Sequence, residues 1–289
     1  MSQSPTGLQL YDAAGRRAAA VVIRSYSTSF GMATRLLGAR PRPHVRNIYA
    51  LVRVADEIVD GPAAEAGVDP AEARRVLDDL ETETVTAIER GFSSNLIVHA
   101  FAATARECGI DESLIAPFFA AMRTDLATTT HDGASHDSYV FGSAEVVGLM
   151  CLRVFVNAGR PGGDEPDERL TEGARRLGSA FQDVNFLRDL DDDRTRLGRD
   201  YLAIDETTNT RTDILARIEQ DLEAARLVIA QLPADCRRAV TAAHDLFAEL
   251  AHRLRAEPVP GRRVRVPDAA KAVILARACL GRPAKRRAA

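Results

Sequence analysis

The chain has 289 residues, of which 38 are basic and 41 acidic, for a net charge of −3. That near-balance gives no global pull toward polyanions, so no nucleic-acid partner is expected. Hydrophobic residues make up 46%, enough for a core, and no shift in composition marks a boundary, so residues 1–289 read as a single domain.

Glycines and prolines gather at Gly38–Pro43, Gly61–Pro70, Gly159–Pro166 and Pro258–Pro267. The segments between them repeat apolar residues at helical spacing rather than alternating, which predicts an all-α fold with no strand. No charged-then-apolar leader opens the chain, and the apolar runs are interrupted short of the roughly 18 residues a spanning helix needs. Cys108, Cys151, Cys236 and Cys279 lie far apart with no C-x-x-C pair, as suits reduced, mostly buried thiols in a cytoplasmic protein.

The first predicted helix, about residues 8–25, runs into Tyr26-Ser27-Thr28-Ser29-Phe30. Hydroxyls this dense at a helix end cap the backbone or donate to phosphate oxygens. Arg35 and Arg40 follow, and sequence favours the surface for both. From Arg46 to Asp60, Val45, Ile48, Val52, Ala55 and Val59 form a buried stripe. Tyr49, Arg53, Asp56 and Asp60 share another face within about 60°.

Residues 70–105, rich in Glu, Arg and Ala, read as an amphipathic surface helix and, after Gly91, a second one, both scaffold. Pro117 to Leu126 is an apolar helix ending in charges, where Asp125 either makes local bonds or faces a cavity. The next helix opens at Tyr139, whose hydroxyl can point into such a cavity. Its small residues Gly142, Ser143, Ala144 and Gly148 permit close approach by a neighbouring helix or a long apolar ligand, although an internal Gly costs about 1 kcal/mol.

The stretch Gln182 to Asp193 is a further helix. Leu177, Ala180, Val184 and Leu187 make its apolar face, with Gln182, Asn185, Asp189 and Asp193 roughly opposite. Asp189 and Asp193 stack about 6 Å apart along the axis, a spacing suited to carboxylates that share hard cations and their waters. Like charges at this spacing cost only about 0.2–0.5 kcal/mol, so one such face taken alone reads first as a solvated surface. The repetition at Asp56 and Asp60 changes the reading: two Asp-x-x-x-Asp faces across a cavity can clamp several Mg²⁺ ions around a diphosphate. Gln182 and Asn185 are then expected to be largely buried beside the acids.

After the Gly198–Leu202 turn, two long helical patterns from Asp213 to Glu257, separated near Pro233, look like scaffold. The tail from about residue 282, Arg-Pro-Ala-Lys-Arg-Arg, is basic and expected to be flexible. It is either a solvated end or a contact to an anionic membrane surface.

Five ordered motifs resemble those of the squalene and phytoene synthase family, the head-to-head branch of the trans-isoprenyl diphosphate synthases. They are Ser27-Thr28-Ser29-Phe30 with Arg35-Leu36-Leu37, Tyr49-x-x-x-Arg53-x-x-Asp56-Glu57-Ile58-Val59-Asp60, Tyr139 with Val147-Gly148-Leu149-Met150, Gln182-x-x-Asn185-x-x-Arg188-Asp189-x-x-x-Asp193, and Gly198-Arg199-x-Tyr201-Leu202. The chain departs from that pattern at Glu145, where many members carry Gly, and at Ala203, where Pro commonly follows Tyr-Leu; both bear on cavity shape.

The resemblance implies a single helical bundle of the isoprenoid synthase type around a central cavity. There, two prenyl diphosphates are joined through a cyclopropylcarbinyl diphosphate to a linear hydrocarbon. It implies metal binding by Asp56, Asp60, Asp189 and Asp193, and diphosphate binding by Ser27, Ser29, Arg53 and Arg199. Gln182 and Asn185 would order the metal shell, and Tyr49 and Tyr139 would stabilise cations or manage protons. The expected product is phytoene from C20 geranylgeranyl diphosphate, with Mg²⁺ and without NADPH, since no G-x-G-x-x-G follows a strand. The alternatives are a squalene or dehydrosqualene synthase using C15 farnesyl diphosphate and a non-catalytic helical scaffold. Sequence leaves the oligomeric state open.

Overall fold

Helix ends fall where short polar side chains and glycines satisfy the backbone. In the computed structural model, Thr6 and Gln9 form a capping box at the start of α1 (Gly7–Tyr26), and Thr210 and Asp213 do the same for α11 (Arg211–Val228). Asp69 caps α5 (Pro70–Arg90), Asn95 caps α6 (Leu96–Cys108) and Asp111 caps α7 (Glu112–Ala127). Gly91 and Gly109 close α5 and α6 at φ 80° and 71°, where a Cβ would be strained. The remaining helices are α2 (Ser29–Arg35), α3 (Pro41–Val59), α4 (Pro62–Glu65), α8 (Gly133–Val140), α9 (Val146–Asn157), α10 (Glu168–Asp192), α12 (Ala234–Ala256) and α13 (Asp268–Cys279).

The structure describes residues 4–27, 29–130, 133–160, 163–192, 194–195, 198–202, 204, 210–256 and 264–281. Asp193, Ala203 and the tail from 282 lie outside them. Among the described residues the fold is all-α, and the one β-type pairing is an isolated bridge between Thr130 and Asp200.

The core is a continuous cluster that includes Ile48, Leu51, Leu77, Phe101, Phe118, Phe119 and Ile218. The surface expectation for the second helix of the 70–105 stretch is corrected here. Val98, His99, Ala100, Phe101, Ala102, Thr104 and Ala105 of α6 are all buried, because α1, α3 and α5 pack around it. Its alanines let those neighbours approach closely, a feature that a purely compositional reading takes for surface.

Arg40 is also corrected from surface to a joint. Its guanidinium meets Asp235 at the start of α12 through Nε and Nη2, both at 2.9 Å, and donates to the carbonyls of Phe155 and Ala158, also at 2.9 Å. A cation there satisfies carbonyls that the C-terminus of α9 leaves open. The paired guanidinium holds the Asp235 carboxyl below its usual range. Since the folded pKa is depressed, this contribution to stability is present above the unfolded pKa and is lost as pH falls through the lower, folded value. Arg40→Met should cost about 2–4 kcal/mol at neutral pH, read as a lower urea midpoint. The gap between variant and wild type should narrow in acid.

The small residues expected to permit close approach do so. A Cβ at Gly148 would lie 2.7 Å from the carbonyl oxygen of Ala174, and one at Gly178 would lie 2.7 Å from that of Ala144. A Cβ at Gly142 would collide with the Pro117 carbonyl of α7. The first two contacts press α10 against the helix before it, and the third presses that helix against α7. That helix carries a π-turn at Phe141–Glu145 between α8 and α9, which turns Ser143 and Ala144 onto the cavity wall.

With α8, the π-turn and α9 continuous, residues 134–157 form a 24-residue helix long and apolar enough, by length and composition, to cross a membrane. The expectation that no run reaches that length is thereby corrected. This helix packs against α3, α7 and α10, and Val146, Met150, Leu152 and Val154 are buried among them. Glu145 is half-buried, pairs with Arg175 at 2.7 Å and is not among the cavity-lining residues.

Candidate active site

Helices from both halves of the chain enclose a cavity of about 1150 Å³, larger than the roughly 300–1,000 Å³ of ordinary small-molecule sites. Much of its wall is apolar, including Ile48, Leu152, Phe155, Leu170 and Leu246. Phe30, Phe181 and Phe247 add an aromatic cluster in which the last two rings stack at 3.8 Å. Set into this wall are Ser27, Tyr49, Arg53, Asp56, Asp60, Tyr139, Gln182, Asn185 and Asp189. The faces read from the sequence of α3 and α10 therefore open on one space.

On α3, Asp56 and Asp60 are one turn apart. Enclosure and the neighbouring Asp60 charge push the Asp56 carboxyl up to about 7, against the opposing pull of Arg53. Arg53 pairs with Glu57 and lies 4.4 Å over the Tyr26 ring, while its Nε is buried with no acceptor among the described residues. That orphaned donor suits an anion arriving from the cavity. Burial raises the Tyr49 phenol pKa, so it stays a neutral donor. Ser27 accepts from the Phe30 amide at 3.1 Å, the capping role, and keeps its own proton for donation. The Ser29 side chain and Asp193 fall outside what the structure describes.

On α10, Asp189 pairs with Arg188. Gln182 and Asn185 are half-buried rather than largely buried, because their open side is the cavity itself. Every carboxylate on this wall is an oxygen donor. Among the described residues, no three His, Cys, Asp or Glu side chains gather tightly enough to hold a metal ion by themselves.

Asp125 resolves in favour of the cavity. It is 7% exposed and accepts from the hydroxyls of Tyr139 at 2.7 Å and Tyr201 at 2.8 Å, with Arg199 at 3.7 Å. Burial drives its pKa up to about 6 despite the Arg199 charge. Arg199 is not on the cavity wall. It stands behind it, donating to Asp60, Tyr201 Oη and the Val59 carbonyl at 2.8, 3.0 and 2.8 Å. The expected anion ligand is thus, in this state, the counter-charge that steadies the acids of α3.

The profile of the squalene/phytoene synthase family matches residues 23–213, the span that carries the acids of α3 and α10, Arg53, Asp125 and Arg199. The chain belongs to the squalene/phytoene synthase family. It is 29% identical over 253 residues to a 15-cis-phytoene synthase of Paracoccus sp., covering 79% of this chain and 78% of that one. It is 28% identical over 254 residues to a phytoene synthase of Pseudescherichia vulneris, covering 80% and 79%. A crystal structure of a dehydrosqualene synthase in complex with ligand superposes with a TM-score of 0.73 over 94% of this chain and 98% of that one, at 20% identity. That likeness speaks for the isoprenoid synthase fold. As a member of this family the chain is a prenyltransferase, and prenyl diphosphates are the substrate class that membership implies.

Sequence reading gave no role to several groups on the cavity wall or behind it. Arg188, Arg265 and Lys271 bring further cations to the cavity wall, and Tyr201 is the second phenol on Asp125. Asp183 is fully buried and meets Arg217 at 2.9 Å and His136 at 3.2 Å. A signal was available for Asp183. It falls among Ala180, Val184 and Leu187 on the buried stripe, and an acid there requires partners from a neighbouring element.

Proposed function

We propose that the chain joins two geranylgeranyl diphosphates head to head to form phytoene through a cyclopropylcarbinyl diphosphate, with Mg²⁺ and without a nicotinamide cofactor. The observation that carries this reading is the pair of acid-bearing helices, α3 and α10, open on one large and mainly apolar cavity. The C20 substrate is favoured by the names of the relatives, both phytoene synthases.

The donor set suits Mg²⁺. Carboxylates too few to complete a cage fit an ion that keeps waters and takes the rest of its shell from phosphate oxygens. Asp56, Asp60, Asp189 and Asp193 would hold it, with Gln182 and Asn185 orienting its waters. When bound, the metal neutralises charge on the departing diphosphate.

The chain's own residues do the remaining work. Arg53, through its unpartnered Nε, takes a diphosphate oxygen, with Ser27 and Ser29 as further donors and Arg199 adding its positive charge from behind Asp60. The apolar wall excludes water that would quench an allylic cation, and the rings near the acids face positive charge favourably. Tyr49 and Tyr139 offer neutral phenols at the wall, and the final proton leaves to a cavity base or to diphosphate itself. The hydrocarbon product dissolves only in lipid, which suits a cytoplasmic enzyme working at a membrane surface.

Purified protein given C15 or C20 prenyl diphosphate, with and without NADPH, should release phytoene from C20 alone and lose activity with a chelator. Squalene or dehydrosqualene from C15 at higher specificity would overturn the product while leaving the condensation standing. No hydrocarbon from either substrate would favour a non-catalytic scaffold.

A further inference from the structure

Behind the cavity, on the far side of α10, lies a polar cluster that the condensation does not use directly. His136 of α8 is 8% exposed, and its Nδ1 donates to the Tyr201 carbonyl at 2.8 Å. That acceptor has no proton, so Nδ1 must carry one. The opposite nitrogen, Nε2, faces Asp183 Oδ1 of α10 at 3.2 Å and Nη2 of Arg217 of α11 at 3.3 Å. Arg217 in turn holds Asp183 Oδ2 at 2.9 Å. Three helices thus hold one imidazole, and its other end grips one peptide.

The gripped peptide belongs to the segment that carries Arg199. The Tyr201 ring stacks on Phe186 at 4.4 Å and lies 5.2 Å from the Tyr139 ring, with its hydroxyl on Asp125. The segment's near end is tied to the end of α7 by the Asp200 amide on the Thr129 carbonyl at 2.7 Å. These contacts hold the side chain, and the carbonyl bond holds the peptide itself, two residues from Arg199 and its bond to Asp60.

We infer that His136, anchored by Asp183 and Arg217, is a positioning residue that sets the Arg199–Tyr201 segment over the acids of α3 and so pre-organises the diphosphate site. Burial of the ring opposes an imidazolium, but the Asp183 carboxylate more than offsets it and holds the His136 pKa above its ordinary value. In either protonation state Nδ1 keeps the proton it donates to the Tyr201 carbonyl, and Nε2 stays between Asp183 and Arg217. An apolar pair at 136 and 183 would fill the same space without specifying where the segment lies.

This inference rests on the diphosphate reading of the site, and a binding measurement separates the two. Inorganic diphosphate with Mg²⁺ is titrated calorimetrically into wild type and into His136→Asn, His136→Gln and His136→Leu. Asn places its amide nitrogen near the position of Nδ1, whereas Gln reaches the position of Nε2. His136→Asn should therefore bind within about twofold of wild type, while His136→Gln and His136→Leu should weaken binding about tenfold. If the Leu variant does not fold, the contrast between Asn and Gln, both polar and of similar size, still decides. Equal binding by all variants, or equal weakening by Asn and Gln, would overturn the positioning role even if unfolding midpoints change. Absence of binding by wild type would overturn the diphosphate reading and this inference with it.

Discussion

Asp56→Asn and Asp189→Asn should each lower turnover roughly 10²–10³-fold, the scale of losing one transition-state contact worth about 3–4 kcal/mol. The substitution keeps size and shape but removes the charge that a hard cation needs. Both side chains line the cavity rather than support the core, so the fold should survive. Asp56 should show this most cleanly, because its charge is already disfavoured by enclosure and by Asp60. Removing it relieves repulsion, and the urea midpoint should hold or rise slightly. Steady-state turnover together with the midpoint separates the two effects. Near-normal turnover in either variant would defeat the shared-metal reading of the two helices.

The second large effect should come from Asp125→Ala. This carboxylate is buried and accepts from two phenols, with a guanidinium beside it. Truncation removes the acceptor of Tyr139 and Tyr201 and one of the two acids facing Arg199, at a cost of about 3–5 kcal/mol in stability. It also frees Tyr139 and the Arg199 segment to shift, and a displacement of about 1 Å can cost roughly 100-fold in rate. Asp125→Asn keeps the size and one acceptor, and should lose less on both measures. Denaturant unfolding paired with turnover tests this, and an Ala variant as stable as wild type would show that the node is not structural.

What the sequence determined by itself is the local and periodic part. Helical spacing without alternation was enough for the all-α fold, since an amphipathic stripe depends only on residues a few positions apart. The same periodicity put Tyr49, Arg53, Asp56 and Asp60 on one face, and Gln182, Asn185 and Asp189 on another. Together with the motif resemblance, that was sufficient for the family. The small residues Gly142 and Gly148 were legible as close-contact positions because a missing Cβ is a local fact.

Only the tertiary structure decided which polar groups are spent on the protein itself. Arg40 reads as a surface cation until Asp235, 195 residues later, and the open carbonyls of α9 surround it. Asp125 has two possible environments on its own helix, and phenols from α8 and from the segment after α10 choose between them. Arg199 reads as an anion ligand, but its partners Asp60 and Val59 come from α3. Asp183 gains Arg217 and His136 only through the packing of α8 and α11 on α10. The physical reason is common to all four. The sign and spacing of charges along a helix are fixed by its own sequence, whereas the free energy of each charge is set by what desolvates it and what lies opposite. Those groups arrive from elements far away in the chain.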